Sequence, residues 1–241
     1  MTKLKGLLAC IGLLGAGSAL ATPIVGDSLQ NTLTGLGAVV DVHADQYDKD
    51  AMWRVGGTNF AIASLQFELS GYSSQNSFGI YDIQNPNARL TVFSGPDGAG
   101  AASWLRNTTG NTYCTGSFDA PGSPSCASFV GKEFGFFLTA GSGDTFYSRA
   151  LHNADGVDHL IAYQGGEGRG TLGDNPWLAN EFVLAWEDLV GGGDRDYEDF
   201  VVVVESVIGV PEPGTVTTLG MGLLALGFMT RRRWARTQVR S

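Results

Sequence analysis

Short runs in which apolar and polar residues alternate recur along the chain, and they predict β-strands. In residues 61–69, Leu65, Phe67 and Leu69 occupy every second position, which places their side chains on one face of an extended strand. Turn-forming glycine, proline, asparagine and aspartate separate such runs, as in residues 95–98. The pattern predicts strands at residues 36–43, 60–69, 77–83, 89–93, 101–105, 129–138, 145–148, 159–163, 181–187 and 200–207.

The region between the two ends of the chain is predicted to form one all-β domain. No stretch of it repeats apolar residues every 3.6 positions between helix caps. The chain has 35 glycines among 241 residues, well above the usual share of about 7%, and glycine favours turns over helices. With 43% hydrophobic and only 16% charged residues, a disordered chain, a collagen-like repeat and a coiled coil are excluded. Many short strands joined by glycine-rich turns predict a β-sandwich or jelly roll over residues 22–209.

Acidic residues are concentrated in this predicted domain. The whole chain has 15 lysines and arginines against 24 aspartates and glutamates, a net charge of −9. Residues 22–210 contain 8 of the basic and 23 of the acidic residues, so their net charge is −15. Such a surface repels the phosphate backbone, so nucleic acid is not expected as a partner. It suits cation binding, or simply solubility outside the cell.

Residues 1–21 have the order of a secretory signal peptide. Two lysines precede an uncharged run rich in leucine, glycine and alanine at 7–20, and residues 19–21 (Ala-Leu-Ala) form a small-x-small cleavage site. The run is shorter than the about 20 apolar residues that a membrane-spanning helix needs. The sequence Leu-Leu-Ala before Cys10 also resembles a lipoprotein cleavage box, but the apolar segment ahead of it is short for that signal. The mature protein is therefore expected to begin near Thr22.

The C-terminal residues 210–236 contain three features in a fixed order. Residues 211–213 read Pro-Glu-Pro, residues 215–230 are uncharged, and residues 231–233 are three arginines. A helix over 215–230 would be roughly 24 Å long, against a bilayer core of about 30 Å, and the arginines would hold its end on the cytoplasmic side. A plain tail anchor has the same layout.

The order of these features resembles the PEP-CTERM sorting signal of Gram-negative bacteria. The resemblance implies a C-terminal transmembrane sorting helix and transit through the inner membrane. It also implies cutting near the Pro-Glu-Pro sequence by a membrane-embedded exosortase. The protein would afterwards reach the cell surface or the exopolysaccharide matrix.

Two cysteines remain if the signal peptide is removed. Cys114 and Cys126 flank a segment rich in glycine, proline and serine. An even number of cysteines in an oxidising compartment predicts a disulfide. Closing a loop of this size stabilises by roughly 3 kcal/mol in the chain-entropy model. The alternative, a metal-binding or catalytic thiol pair, lacks the Cys-x-x-Cys spacing.

The candidate chemistry lies between the last two predicted strands. The connection between them contains three consecutive glycines, at 191–193, which allow it to fold back tightly. Carboxylates crowded in such a connection repel one another unless they reach water or share a cation. Oxygen ligands at alternating positions suit Ca²⁺, although the spacing is not that of an EF-hand. Six carboxylates fall within thirteen residues, namely Glu187, Asp188, Asp194, Asp196, Glu198 and Asp199.

A second cluster at residues 153–159 offers further oxygen atoms. Its aspartates, Asp155 and Asp158, are candidates for a site shared with the final hairpin, although Asn and Asp in turns usually cap the backbone. For the hairpin itself, the alternative is a solvated acidic turn in which Arg195 pairs with a carboxylate. We predict a Ca²⁺ site with ligands drawn from Glu187, Asp188, Asp194, Asp196, Asp199, Asp155 and Asp158.

Residues 187–199 resemble the closing signature of a domain of unknown function, DUF4114. Further similar motifs lie at 78–82, 134–138, 145–148 and 153–159. The resemblance spans roughly residues 60–207, and Glu198 stands where the family pattern has asparagine. It implies a secreted bacterial protein of unknown activity. This domain often occurs in large calcium-dependent adhesins or PEP-CTERM proteins, and that context favours the predicted Ca²⁺ site by analogy.

A third acidic cluster lies near the N-terminus of the predicted domain. Its residues follow the predicted strand 36–43 or lie at its end, and their spacing matches no known set of metal ligands. We interpret the cluster as an exposed strand end rather than a metal site. Its members are Asp41, His43, Asp45, Asp48 and Asp50.

No catalytic motif is recognised in the sequence. It lacks a Gly-x-Ser-x-Gly elbow, a His-Glu-x-x-His helix and a phosphate-binding glycine loop. Glu187 and Asp188 as a glycosidase pair would point to opposite faces of one strand. Ser148, Asp155 and His159 make a triad only if the fold brings them together.

We therefore expect an exported, non-enzymatic protein of the cell envelope or exopolysaccharide matrix. Its role would be binding or structural, and Ca²⁺ would stabilise it. The alternative function is a secreted hydrolase that acts on the producer's own polysaccharide. Trp53, Trp104 and Trp177 are aromatic residues that would stack on sugars if exposed, whereas core packing is their other use.

Overall fold

The computed structural model describes residues 21–57, 59–68, 75–95, 97–119, 122–212 and 222, with backbone only for residues 64–68. Residues 1–20 of the predicted signal peptide lie outside the described residues, as does the predicted sorting helix 215–230 apart from Gly222. Within the described part of the chain, no helix is both long enough and apolar enough to cross a membrane.

The chain is built mainly of short strands. Among the described residues, helix α1 occupies Ser28–Gly35, and 3₁₀ turns lie at Thr109–Asn111 and Ala150–His152. The strands are β1 (Trp53–Val55), β2 (Phe60–Glu68), β3 (Ser77–Asp82), β4 (Asn85–Phe93), β5 (Ala102–Asn107), β6 (Thr112–Ser117), β7 (Ser125–Ser128), β8 (Phe134–Thr139), β9 (Thr145–Tyr147), β10 (Leu160–Gln164), β11 (Thr171–Leu172), β12 (Asn175–Pro176), β13 (Glu181–Trp186), β14 (Phe200–Glu205) and β15 (Val207–Gly209). The predicted all-β class is confirmed.

The strands form two large antiparallel sheets. The first has the order β15-β1-β8-β3-β4, with β9 also paired to β8, and the second has the order β10-β13-β14-β2-β5-β6-β7. Strands β11 and β12 form a separate two-stranded ribbon. Apolar side chains of the two large sheets meet in one shared core. Phe78 of the first sheet, for example, contacts Trp186 and Phe200 of the second.

The N-terminal segment covers the outer face of the second sheet over β10, β13 and β14. Leu29 and Leu33, four residues apart on α1, are buried against this sheet together with Val42. Strands β13 and β14 are therefore buried on both faces over much of their length, which is why their sequences are almost continuously apolar.

The strand predicted at 36–43 is wrong, because this segment packs on the sheet instead of pairing with it. Only Ala38 forms a β-bridge, to Gly170. Gly37 has a φ of 91°, which interrupts an extended conformation at the start of the segment. The acidic residues that follow form turns, in which the Asp41 carboxylate accepts from the His43 N–H at 3.0 Å.

Most other predicted strands are present with shifted ends. The predicted strand 129–138 begins only at Phe134, because the Val130 N–H donates to Asp82 Oδ2 at 2.8 Å in a turn. The predicted strand 200–207 divides at Ser206, whose φ is 60°. After this break the chain leaves the second sheet, and β15 pairs with β1 in the first.

The disulfide predicted from the cysteine count is present. Cys114 on β6 and Cys126 on β7 are paired across the two strands and are joined by an S–S bond of 2.05 Å. Strand β7 is the edge of the second sheet, so the bond holds this edge strand to its neighbour.

Candidate metal centre

The pairing of β13 with β14 brings the two ends of the acidic connection together. Their register runs from Glu181 opposite Glu205 to Trp186 opposite Phe200. Glu187 and Asp188 directly follow β13, and Asp199 directly precedes β14, so the three residues lie at the same end of the paired strands. The Asp188 N–H donates to Asp199 Oδ2 at 3.1 Å, which closes the base of the loop.

The loop coils tightly because five of its residues adopt left-handed backbone conformations. They are Gly191, Gly192, Gly193, Arg195 and Tyr197, with φ between 40° and 80°. At Gly193 the need for glycine is also steric, since a Cβ there would collide with Glu187 Oε1. The Arg195 N–H donates to the other carboxylate oxygen of Glu187 at 3.0 Å. The loop backbone therefore wraps around one carboxylate.

Five of the predicted ligands converge in this structure, in two overlapping groups. Glu187, Asp194 and Asp196 form one group, and Glu187, Asp188 and Asp199 form the other. In each group the candidate ligand oxygens lie within 4.8 Å of one another. Oxygens that bind one Ca²⁺ at about 2.4 Å are separated by at most about twice that distance, so both groups fit the ion.

Glu187, the residue common to both groups, is a buried carboxylate with an unpaired oxygen. It is 0% exposed, and no described residue forms a hydrogen bond with its Oε1. Burial, followed by the nearby Asp199 carboxylate, raises the pKa of Glu187 to about 8, against the effect of the Arg195 N–H. A buried acceptor without a partner carries a free-energy penalty. A bound cation would remove it, so the residues present fit a hard divalent ion.

The neighbouring carboxylates are electrostatically crowded as well. Burial raises the pKa of Asp199 to about 6, and the carboxylate of Asp188 adds to the shift, although the Asp188 N–H lowers it. Burial likewise raises the pKa of Asp196, with Asp194 contributing, while the Glu198 N–H acts in the opposite direction.

No positive side chain neutralises this crowding among the described residues. None of the ion pairs among the described residues involves Arg195, so the alternative in which Arg195 pairs with a carboxylate is not formed. Glu198, the departure from the DUF4114 pattern, belongs to neither carboxylate group.

Asp155 lies beside the cluster and supports its loop. Its Oδ2 accepts from the Gly191 N–H at 2.8 Å and contacts His159 Nε2 at 3.0 Å. Burial opposes ionisation of Asp155, but hydrogen bonds from Gly191, Val157 and His159 outweigh it and hold its pKa at about 2. Asp155 therefore joins the loop through the backbone rather than through either carboxylate group.

His159 links Asp155 to the backbone of Glu187. It is fully buried, stacks on Phe146, and its Nδ1 lies 3.0 Å from the Glu187 carbonyl oxygen. The carbonyl and the Asp155 carboxylate are both acceptors, so each ring nitrogen of His159 faces an acceptor. This arrangement braces the point at which the chain leaves β13.

Asp158 lies outside both groups and has other partners. Its Oδ2 accepts from the Thr22 hydroxyl at 2.9 Å, and its Oδ1 accepts from the Leu160 N–H at 3.3 Å. Its electrostatic neighbour is Asp50, from the third predicted cluster. In the same cluster, Asp45 forms an ion pair with Arg169 at 2.6 Å, and this hydrogen bond lowers its pKa.

Comparison with protein-family models identifies two adjacent segments. Residues 129–207 match the domain of unknown function DUF4114, and residues 209–233 match the PEP-CTERM protein-sorting motif. The chain carries a DUF4114 segment followed by a PEP-CTERM motif. Both predicted resemblances are confirmed, but the DUF4114 match begins at 129, so the similar motif at 78–82 lies before it. Comparisons with curated proteins and with solved structures found no match.

The DUF4114 segment contains every predicted ligand but not all the residues around the carboxylates. Asn76, which precedes the segment, is buried and donates from Nδ2 to Asp188 Oδ2 at 3.2 Å. Its Oδ1 accepts from the Gly141 N–H at 2.9 Å. Sequence reasoning missed Asn76, because nothing in the residues around it marks it as a neighbour of a loop 112 positions away.

The predicted placement of Glu187 and Asp188 on opposite faces of one strand is wrong. Strand β13 ends at Trp186, so Glu187 and Asp188 follow no strand alternation and belong to the same group. However, they are only 0% and 2% exposed. The structure therefore leaves them inaccessible to a sugar ring.

The considered triad is not assembled. The Ser148 hydroxyl donates to the Ala51 carbonyl oxygen at 2.9 Å and accepts from the Phe136 N–H at 3.0 Å. His159 does contact Asp155 through Nε2, but its Nδ1 faces the Glu187 carbonyl oxygen, so neither ring nitrogen is directed at Ser148. Ser148, which follows β9, therefore links β8 to the segment before β1.

The tryptophans considered for sugar stacking differ in exposure. Trp53 and Trp177 are buried and pack in the protein core. Trp104 lies on the outer face of the second sheet, where a Cβ at Gly116 would meet its indole at 2.9 Å. With Phe60, Arg106 and Phe118, Trp104 lines an open hollow.

Proposed function

We propose that the protein is an exported, non-enzymatic component of the cell envelope or extracellular matrix, and that its DUF4114 hairpin binds Ca²⁺. The PEP-CTERM motif is a sorting signal recognised by exosortase, which supports export and membrane-anchored transit. The acidic body of the protein is suited to a compartment outside the cell, where divalent cations are available.

The observation that carries the Ca²⁺ proposal is the unpaired, buried Glu187 Oε1 at the centre of two carboxylate groups. Glu187, Asp188, Asp194, Asp196 and Asp199 would hold the ion, and the bound ion would neutralise their mutual repulsion. Carboxylate oxygens are the ligands Ca²⁺ prefers, and the loop contributes the tight backbone turn around Glu187. We assign the ion a structural role, because Glu187 and Asp188 are buried and the loop backbone wraps around Glu187.

Thermal unfolding of the full chain, with Ca²⁺ and with a chelator, tests this proposal. We expect Ca²⁺ to raise Tm by several degrees, because a ligand that binds only the folded state stabilises it by mass action. Glu187→Gln should abolish the rise. Glu198→Gln, in the same loop but outside both carboxylate groups, should retain it. Identical unfolding curves with Ca²⁺ and with chelator would contradict Ca²⁺ binding by the hairpin.

A glycan-directed role is the second candidate, and the hollow lined by Phe60, Trp104, Arg106 and Phe118 favours it. The indole of Trp104 packs against Gly116 of β6, and an indole held in this way suits stacking against a sugar ring. Incubation of the full chain with a panel of bacterial polysaccharides separates the possibilities. Release of reducing ends would support a hydrolase, whereas saturable binding that Trp104→Ala abolishes would support a binding protein. The absence of both turnover and binding across the panel would contradict a glycan-directed role.

A further inference from the structure

The first described residues form a specific set of contacts at the predicted cleavage site. The Thr22 nitrogen donates to Gln46 Oε1 at 2.7 Å, and Gln46 Nε2 donates back to the Thr22 carbonyl oxygen at 2.8 Å. The backbone of Gln46 is itself fixed, because it forms a β-bridge with Tyr163 on β10. Thr22 is therefore held by both of its backbone polar groups against the second sheet.

The side chain of Thr22 reaches a pair of partly buried acids. Its hydroxyl donates to Asp158 Oδ2 at 2.9 Å. Asp158 interacts electrostatically with Asp50, whose pKa is raised well above its usual range by burial and then by the Asp158 carboxylate. Among the described residues, neither aspartate forms an ion pair with a lysine, arginine or histidine. Two neighbouring, partly buried carboxylates repel each other, and this repulsion is costly for a folded protein. Burial raises the pKa of Asp158, although the nearby His159 acts in the opposite direction and lowers it.

We propose that removal of the signal peptide after Ala21 supplies a cation for this pair, in the form of the new α-ammonium group of Thr22. Hydrolysis of the Ala21–Thr22 bond by a signal peptidase adds a hydroxyl group to the Ala21 carbonyl carbon and a hydrogen to the Thr22 nitrogen. The resulting amine takes a proton from the solvent, since its ordinary pKa is about 8. In the uncleaved chain the same nitrogen is a neutral amide.

The geometry allows this ion pair with little movement. The nitrogen and the hydroxyl oxygen of one threonine are at most about 3.7 Å apart, which places the Thr22 nitrogen within about 7 Å of Asp158 Oδ2. The ammonium has protons to spare beyond the one donated to Gln46. Its attraction to the carboxylates is strengthened because they are partly shielded from solvent.

The ion pair would also support the DUF4114 hairpin. Three residues after Thr22, the Val25 N–H donates to the Arg195 carbonyl oxygen at 2.9 Å. The Tyr197 hydroxyl donates to the Asp158 carbonyl oxygen at 2.7 Å. The N-terminus, Asp158 and the acidic loop therefore form a continuous set of contacts, so that cleavage in export would complete the fold next to the candidate metal centre.

This inference rests on the export part of the proposed function, and the first measurement checks that part separately. The full chain is produced with its own signal sequence in a Gram-negative host and purified from the membrane fraction. Sequencing of its N-terminus should give Thr22 as the first residue. Any other start would overturn both the predicted cleavage and this inference.

The second measurement addresses the ion pair in protein that does begin at Thr22. Insertion of Gly-Ser between Ala21 and Thr22 displaces the ammonium, and we expect Tm to fall by about 3 °C. In the Asp158→Asn background the insertion should have no further effect. Thr22→Val removes only the hydroxyl contact with Asp158 and should cost less than the insertion. An unchanged Tm, or an equal fall in the Asp158→Asn background, would overturn the ion pair while leaving export intact.

A chemical measurement covers the case in which Asp158→Asn does not fold. Acetic anhydride at neutral pH acetylates free α-amino groups, and mass spectrometry reports the rate. We expect the Thr22 amine of the wild-type protein to react at least tenfold more slowly than the displaced amine of the insertion variant, because an ion-paired ammonium is protonated and shielded. Equal rates would contradict the proposal.

Discussion

Glu187 is buried, has an unpaired oxygen and lies among other carboxylates, so we expect the stability of the metal-free hairpin to depend on its ionisation. In the folded chain its pKa is raised to about 8 and that of Asp199 to about 6, chiefly by burial. An unfolded chain would titrate these groups near 4.5 and 3.8. Between the two sets of values the folded state binds more protons than the unfolded state. By linkage, the free energy of unfolding falls as the pH rises through this window.

We therefore expect metal-free protein to unfold at a lower urea concentration at pH 8.5 than at pH 5.5. Saturating Ca²⁺ should remove this decrease, because the ion stabilises the ionised carboxylates that folding otherwise brings together without a counter-charge. Urea titrations at both pH values, with chelator and with Ca²⁺, measure the effect. Metal-free protein that is more stable at pH 8.5 would show that these carboxylates are not crowded in solution.

Gly193 offers a steric test of the same carboxylate. In Gly193→Ala the new Cβ would collide with Glu187 Oε1, so we expect Ca²⁺ affinity to fall at least tenfold. Gly191→Ala is the matched control, because Gly191 also has a positive φ, of 80°, but no atom lies within 4 Å of its added Cβ. Both variants carry about 1 kcal/mol of backbone strain. Isothermal titration with Ca²⁺ should separate them, and equal affinities would place the ion away from Glu187.

Among individual residues, candidate metal ligands were predictable where they lie close together in the sequence. Glu187, Asp188 and Asp199 are close in sequence, and the hairpin that joins them brings their carboxylates together. Asn76 and the Asp50–Asp158 pair were not predictable, since they meet through contacts between distant parts of the chain. Local spacing contains no information on such contacts.

At the scale of elements, the brace formed by Asp155 and His159 connects one loop to the end of β13. Asp155→Asn would leave the buried His159 facing an amide in place of a carboxylate and would weaken the bond from the Gly191 N–H. We expect the free energy of unfolding to fall by about 2 kcal/mol, as charged hydrogen bonds are the stronger ones. Asp174→Asn, at an exposed turn, should change it by less than about 0.5 kcal/mol. Urea unfolding at pH 7 measures both, and equal stabilities would contradict the brace.

Strands were predictable where each has one buried and one exposed face, or where turn residues mark both ends. The strand predicted at 36–43 was wrong because the apolar residues of this segment, such as Val40 and Val42, cover the outer face of the second sheet without forming strand pairing. Helix α1 was missed because its single stripe, Leu29 and Leu33, is too short to establish a helical period. The edge strand β7 was missed because its side chains are mostly exposed, so no apolar pattern marks it.

For the molecule as a whole, the order of strands separates the two stabilising features. The disulfide lies at one edge of the second sheet, between β6 and β7, whereas the candidate metal centre lies at the end of β13 and β14. Strands β2 and β5 stand between these two pairs. Features that share no residues and no direct contacts contribute to stability almost additively.

Loss of the disulfide should therefore lower stability without changing the response to Ca²⁺. We expect Cys114→Ser with Cys126→Ser to reduce the free energy of unfolding by roughly 3 kcal/mol, mainly because the unfolded chain becomes less constrained. The rise in Tm on adding Ca²⁺ should equal that of the oxidised wild-type protein. Thermal unfolding of both proteins, each with Ca²⁺ and with chelator, provides the four values needed. A smaller Ca²⁺ response in the double variant would mean that the sheet edge and the acidic hairpin are coupled through β2 and β5, and that the second sheet orders as one unit.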